Sequence, residues 1–496
     1  LSKKARCWIL WSISKIWRQF AKSAVSFVNI SRNIGGLGLE ESVKVNPLAT
    51  EKVERLILKF SIPAIISMLV SSLYNIVDQI FIGQGVGLLG NAATNIAFPI
   101  TIICTATALL LGIGSASNFN LSSGAGEQEC ACRYEGTGLA MLMLCGVTIA
   151  VVVLLFLDPL LHVFGVTKDV LPYAQDYTGI TAFGIPFLIL TTGGNHLIRA
   201  DRSPTYSMTC MLTGAIINTI LDPLFIFGFH WGIKGAAWAT VIGQIVSGCL
   251  VIVYFVRFKK MGLTVEMLKP RGMYIKGILT LGMASCINQI AMAIVQIVLN
   301  NTLRYYGSLS VYGANSVYGS DIPIACVGVI SKVNMVFMAI CIGLAQGCQP
   351  IWGFNYGAGN YVRVRHTYKR SMQIALVVGG ICFVCFQVFP RQIVSIFGNG
   401  SEEYFRFAER YFRIYMFMTF VNGIHPVCSQ FFTAIGKAAK GAVVSLTRQI
   451  LFLLPLIIIF PIFIGIDGVM YAGPIADGTA AVVAIVLARS EIKKMS

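Results

Sequence analysis

The sequence predicts an all-α integral membrane fold: twelve transmembrane helices in two six-helix bundles related by a pseudo-two-fold axis. Three observations predict it, namely composition, the length of the apolar runs and an internal repeat. Hydrophobic residues make up 56% of the 496 positions and charged residues only 12%, with a mean hydropathy of +0.75. One soluble core cannot absorb that much hydrocarbon. A helical crossing takes about 20 apolar residues, because every backbone polar group must be satisfied inside the segment. Twelve such stretches occur, near 57–82, 92–117, 136–158, 172–196, 204–228, 235–256, 275–302, 322–347, 371–390, 406–431, 441–464 and 468–488.

The repeat divides these spans into two sets of six. Leu111-Gly112-Ile113-Gly114 followed by Gly124-Ala125-Gly126 returns as Leu344-Ala345-Gln346-Gly347 followed by Gly357-Ala358-Gly359. Phe164-Gly165 with Tyr173-Ala174-Gln175-Asp176-Tyr177 returns as Phe397-Gly398 with Phe407-Ala408-Glu409-Arg410-Tyr411, and Gly232-Ile233-Lys234-Gly235 as Gly465-Ile466-Asp467-Gly468. An even number of spans per copy makes the copies enter the membrane in the same sense, so the axis runs along the membrane normal. The predicted organisation is a cytoplasmic extension over 1–50, an amino-terminal lobe over 51–256, a basic cytoplasmic linker over 257–273 and a carboxy-terminal lobe over 274–496.

Charge then sets orientation. Most of the 38 Lys and Arg fall in the amino-terminal segment, the loops that follow even-numbered spans, and the tail. Both termini are therefore expected in the cytoplasm, in a multi-pass protein of the plasma (inner) membrane. The net charge of +17 is carried by short loops such as Arg257-Phe258-Lys259-Lys260 and Arg363-Val364-Arg365, so topology explains it and no nucleic-acid partner is expected. Within the extension, Trp8, Trp11, Ile13, Ile16, Trp17 and Phe20 with Lys15, Arg18 and Lys22 suit a basic amphipathic helix lying on the inner leaflet. The 14 cysteines are scattered through apolar stretches, where Cys behaves as a small hydrophobe. Cys130-Ala131-Cys132 lacks zinc-site spacing and a nearby His, so no disulfide framework, structural metal or cofactor is expected.

Function must come from polar residues that a lipid-embedded bundle would otherwise avoid. At about 1.5 Å per residue, Asp78, about 21 residues into the first span, and Asp222, about 18 into the fifth, arrive at similar depth in the outer third of the bilayer. Asn218 lies one helical turn before Asp222 on the same face, and Thr240 lies near the outer start of the sixth span. Two carboxylates, an amide and a hydroxyl then converge on one pocket. Two carboxylates held close in a low-dielectric site cannot both stay ionised cheaply, so such a pair becomes a seat for H⁺ or Na⁺. Competition between that ion and a larger cation is the minimum requirement for antiport. The plain alternative is that both acids sit at helix ends in solvent and that Asp222-Pro223 marks a kink.

The strings Ile76-Val77-Asp78-Gln79-Ile80-Phe81-Ile82-Gly83, Asn218-Thr219-Ile220-Leu221-Asp222-Pro223-Leu224-Phe225, Gly235-Ala236-Ala237-Trp238-Ala239-Thr240 and Gln346-Gly347-Cys348-Gln349-Pro350 resemble the multidrug and toxic compound extrusion (MATE) family over about residues 55–490. The resemblance implies a MOP-type fold of two six-helix lobes around a central cavity. It also implies efflux of organic cations or drugs driven by inward H⁺ or Na⁺, with Asp78, Asn218, Asp222 and Thr240 matching the family's amino-lobe cation site. Na⁺, if used, belongs at these four.

The second copy departs from the first. Leu299-Asn300-Asn301 stands where Val77-Asp78-Gln79 stands, and Arg448-Gln449 precedes Leu454-Pro455 where Asn218 precedes Asp222-Pro223, so the carboxy-terminal lobe is expected to lack carboxylates. Where some relatives carry acids in the seventh and tenth spans, this chain offers Asn288, Gln289, Asn422 and His425. Candidate cargo-cavity residues are Tyr74, Asn75, Gln244, Asn288, Gln289, Met292, Lys332 and Arg448, joined by Phe98, Met335 and Phe337, since Met and aromatic faces accept varied cations. Each aromatic or Met also suits plain packing. Lys332 reads equally as a partner for an acid or lipid headgroup and as a snorkelling lysine, and Arg448 as a clamp on helix carbonyls.

No G-x-x-x-x-G-K-[ST] loop is present to drive an ATP-fuelled pump, and the five His are dispersed, so no catalytic constellation is expected. A channel fits poorly because the repeat is broken at its charged positions. The expected protein is a monomeric secondary antiporter, not an enzyme, with cationic drugs and the bilayer as partners. The alternative is a lipid-linked precursor flippase of the same two-lobe build, which Lys332 and Arg448 leave open.

Overall fold

The computed structural model describes residues 46–258, 265–308, 321–396 and 402–495. The expected amphipathic segment and residues 259–264 of the linker lie outside them. The chain divides into two units, 1–50 and 51–496; Pro47–Thr50 forms a single helical turn of the first. Among the described residues of the second unit every regular element is helical.

Among the described residues, ten helices are long and apolar enough to cross a membrane. The first three spans are Val53–Gly85, Leu88–Gly124 and Gln128–Leu155; the fifth is Pro204–Pro223, prolonged by a π-helical stretch Leu224–Gly228, and the sixth is Gly232–Val253. The seventh to ninth are Gly272–Ser308, Asp321–Gly357 and Tyr361–Val388. The eleventh is Ala438–Leu446 continuing through a π-helical Thr447–Leu453 into Leu454–Ile464, and the twelfth is Ile466–Lys493.

The fourth and tenth spans complete the expected twelve, but neither is one continuous helix. The fourth runs as Leu171–Thr181, a 3₁₀ turn Ala182–Gly184 and Ile185–Ala200; the tenth as Glu402–Tyr415, Thr419–Asn422 and Ile424–Ala434. The fourth breaks where Pro186 has no N–H to return to the preceding turn. In the tenth, the Thr419 hydroxyl donates to the Met416 carbonyl over 2.7 Å and holds the interrupted turn. Both breaks fall at the same stage of the repeat.

Each half gathers its own core. Leu142, Ile189, Leu190, Leu197, Cys210 and Val251 pack together in the first, and Phe337, Phe386, Tyr411, Phe412, Ile457 and Met470 in the second. Phe337 thus belongs to packing rather than to a cargo surface, its ring edge-on to Phe386.

The halves meet with the seventh span along the second and the eighth along the first. Glycine makes this approach possible. A Cβ at Gly124 would overlap the carbonyl oxygen of Phe354, and a Cβ at Gly357 that of Leu121. Gly124 and Gly357 are equivalent in the repeat, as are Leu121 and Phe354, so the contact is self-complementary, as a two-fold axis demands. Hydrogen bonds joining the halves gather at this same end of the bundle, where the first span begins. Gln349 Nε2 donates to Ser117 Oγ over 2.9 Å, Arg199 Nη2 to Gln346 Oε1 over 3.1 Å, and Arg370 Nε to Glu54 Oε1 over 3.1 Å.

Candidate ion and cargo site

Three spans of the first half deliver the candidate site. Asp78 stands late in the first span with 9% of its surface exposed, and Asp222 at the end of the fifth is fully buried. Their carboxyl groups stand close enough to interact with each other. Asn218, one turn before Asp222, donates through Nδ2 to Asp222 Oδ1 over 3.2 Å and to Thr240 Oγ1 of the sixth span over 3.3 Å. The structure therefore brings Asp78, Asn218, Asp222 and Thr240 into one cluster, and the solvent-exposed alternative for the two acids does not hold.

Three acceptor oxygens of this cluster, Asp78 Oδ1, Asn218 Oδ1 and Asp222 Oδ2, are buried without a hydrogen-bond partner. Orphaned buried acceptors are costly, and a proton or a small hard cation is what would satisfy them. The local sequence explains how they come to be there. Pro223 cannot return a hydrogen bond to the preceding turn, and the helix relaxes into the π-helical Leu224–Gly228 directly after Asp222.

The cluster borders a cavity of about 110 Å³ whose lining includes Tyr74, Thr191, Thr192, Asn218, Thr240 and Gln244. Thr191 Oγ1 and Gln244 Oε1 are also buried acceptors without partners. Of the expected cargo residues, Tyr74 and Gln244 join this cavity. Asn75 lies on an exposed stretch of the first span, its Nδ2 donating to Ser71 O over 2.6 Å. Tyr177 of the fourth span stands with Tyr74 near both acids. The sequence contained Tyr177 inside the repeated Tyr173–Tyr177 string, where it served only as a marker of the duplication.

Asn288, Gln289, Met292 and Lys332 belong to the seventh and eighth spans and are not part of this cavity. Asn288 Nδ2 points to Met292 Sδ at 3.8 Å, and Met292 is 44% exposed. Lys332 is half-buried and has no ion pair among the described residues. Phe98 and Met335 are exposed.

Arg448 corrects two expectations. Rather than clamping helix carbonyls, its Nε donates to Asp477 Oδ1 of the twelfth span over 2.6 Å, with both side chains buried. The second half is accordingly not free of intramembrane carboxylates. His425 and Tyr415, from either side of the tenth-span break, stand beside this pair.

A sequence model of the family MatE matches residues 63–224 and 296–459, one match in each half. This chain belongs to the MatE family. Among the relatives of this MatE chain, the multidrug export protein MepA of Staphylococcus haemolyticus is 26% identical over 436 residues, which is 87% of this chain and 92% of that one. MepA of Staphylococcus aureus strain MSSA476 is 24% identical over 436 residues, 88% of this chain and 93% of its own length. Solved structures share the fold. One, described as the outward-facing conformation of a multidrug resistance MATE family transporter of the MOP superfamily, aligns with a TM-score of 0.84 at 24% identity, covering 92% of this chain and 99% of that one. A MOP superfamily transporter from Pyrococcus furiosus aligns with a TM-score of 0.83 at 23% identity, with the same coverage.

Proposed function

We propose that this chain is a secondary transporter that exports cationic drugs across the plasma membrane by antiport with H⁺ or Na⁺, and that Asp78, Asn218, Asp222 and Thr240 seat the coupling ion. One observation carries the reading: two interacting buried carboxyls belong to a cluster with three unsatisfied acceptor oxygens, and Asn218 and Thr240 of that cluster line a cavity inside a duplicated membrane bundle. The multidrug export proteins similar to this chain support the class of cargo.

In this mechanism the cluster takes up the ion from outside while the halves stay in contact at the end where the first span begins, the cytoplasmic end in the orientation set by the basic loops. Ion binding satisfies the orphaned oxygens and removes the negative charge that attracts an organic cation, so the cargo leaves. The cavity beside the cluster is on the scale of a few waters and suits the ion and its hydration. Bulky cargo then needs a larger space between the halves, and exposed Met292 and half-buried Asn288 of the seventh span are its candidate adaptable contacts.

The flippase alternative leaned on Lys332 and Arg448 as a cationic surface for an anionic headgroup. Asp477 neutralises Arg448, which weakens that reading. The experiment is drug accumulation in an efflux-deficient host carrying wild type, Asp78→Asn or Asp222→Asn, under separate pH and Na⁺ gradients. Efflux lost in both variants and driven by one of the two gradients in the wild type is the expected result. Wild-type rates in both variants would refute the assignment of the ion seat.

A further inference from the structure

A second cavity opens on the flank of the bundle, between the starts of the seventh and eleventh spans, and encloses about 550 Å³. One wall is Leu279, Met283 and Ala284; the other is Ala438, Ala439 and Ala442. Lys276 is the charged residue of its lining, is exposed, and has no ion-pair partner among the described residues. The helix starts around it are basic. Lys269 and Arg271 precede the seventh span, while Lys437 and Lys440 at the start of the eleventh share one carboxylate, Glu491. Glu266 answers Arg271 at 3.7 Å. Five basic groups thus face two carboxylates, and the rim keeps an excess of positive charge.

The groove belongs to the second half and is not a general seam between neighbouring helices. Arg202 and Gly436, the left-handed residues just before the fifth and eleventh spans, occupy equivalent places (φ 63° and 79°). Counting on from them, Pro204, Thr205 and Met208 stand where Ala438, Ala439 and Ala442 stand. Met208 is buried, filling its side with a long side chain where the second half has a methyl group.

We infer that this groove holds an acyl chain of an anionic phospholipid, whose phosphate sits on the basic rim at Lys276. Within the hydrocarbon layer an apolar groove on the flank has lipid tails as its neighbours, and basic pockets between transmembrane helices on the cytoplasmic side select acidic headgroups. The inference needs only that the bundle spans a membrane and stands apart from the proposed transport activity.

Native mass spectrometry of the full-length, delipidated protein titrated with dioleoyl-phosphatidylglycerol or dioleoyl-phosphatidylcholine tests it. The wild type retains the anionic lipid in preference to the zwitterionic one. Lys276→Ala, an exposed change, weakens retention of phosphatidylglycerol about fivefold and leaves phosphatidylcholine unaffected. Ala442→Phe fills the groove and lowers retention of both, with the unfolding temperature as the control for its fold. Equal retention of the two lipids by the wild type, or unchanged phosphatidylglycerol retention in Lys276→Ala, overturns the inference. So does a dimer that Ala442→Phe disperses, since a second copy would then be what covers the groove.

Discussion

The two halves share a backbone plan but solve one position in opposite ways. In the first, Thr191 and Thr192, the small residues Gly214 and Ala215, and Gln244 line a cavity beside two acids with unsatisfied oxygens. In the second, His425 falls at the place of the threonine pair, Arg448 at that of Gly214 and Ala215, and Asp477 stands as far after Gly465 as Gln244 does after Gly232. Arg448 and Asp477 close on each other there. Duplication supplied two equivalent chambers; in one, buried carboxyl oxygens are left unsatisfied, and in the other the carboxylate is paired with a fixed guanidinium.

Breaking the fixed pair has the largest expected effect on stability. Asp477→Asn leaves the Arg448 guanidinium buried without a counter-charge and costs about 3–5 kcal/mol, whereas the double variant Arg448→Met with Asp477→Leu recovers most of the loss. Thermal unfolding in detergent reads both. If Asp477→Asn unfolds at the wild-type temperature, the second chamber is not held by its ion pair and the contrast fails. The same test applied to Asp222→Asn sharpens the comparison, because removing a carboxylate from an under-satisfied cluster leaves stability near or above that of wild type while transport is lost.

A smaller effect is expected where the halves touch. Gly357→Val forces a side chain against the Leu121 carbonyl and costs about 1–3 kcal/mol, as overpacking does. Gly124→Val should cost a similar amount, since the contact is reciprocal; a large difference between them would show that the two-fold relation does not extend to this interface. Smallest is Thr240→Ala, which removes one neutral acceptor from Asn218 and costs about 1 kcal/mol. Its readout is a several-fold higher concentration of driving ion for half-maximal transport, with the maximal rate retained.

Much of the first chamber was legible in the sequence because its determinants are local. Asp78 and Asp222 could be placed at equal depth by counting residues along two helices that cross in the same direction, and Asn218 lies one turn from Asp222. Thr240 required only that the sixth span start where the fifth ends. The second chamber was less legible, since the partner of Arg448 sits on another helix and charge pairing across spans leaves no periodic trace. The repeat did contain the clue, because the alignment of Gly232 with Gly465 puts Asp477 opposite Gln244. The broken fourth and tenth spans escaped for another reason. A hydropathy reading over about 20 residues averages across an interruption of one turn, and Tyr415-Met416-Phe417-Met418 has no Gly or Pro to mark it.

The central claim is that the carboxyl pair of the first half exchanges a small cation for a larger one. Proton release on binding a cationic drug, followed with a pH indicator in a weakly buffered solution of purified protein, measures that exchange directly; the parallel measurement for Na⁺ is the weakening of drug affinity as Na⁺ is raised. The account predicts that the wild type shows one of these two signatures, that Asp78→Asn and Asp222→Asn show neither, and that the Arg448→Met, Asp477→Leu double variant keeps the wild-type signature. Undiminished proton release or Na⁺ competition in Asp222→Asn would contradict it.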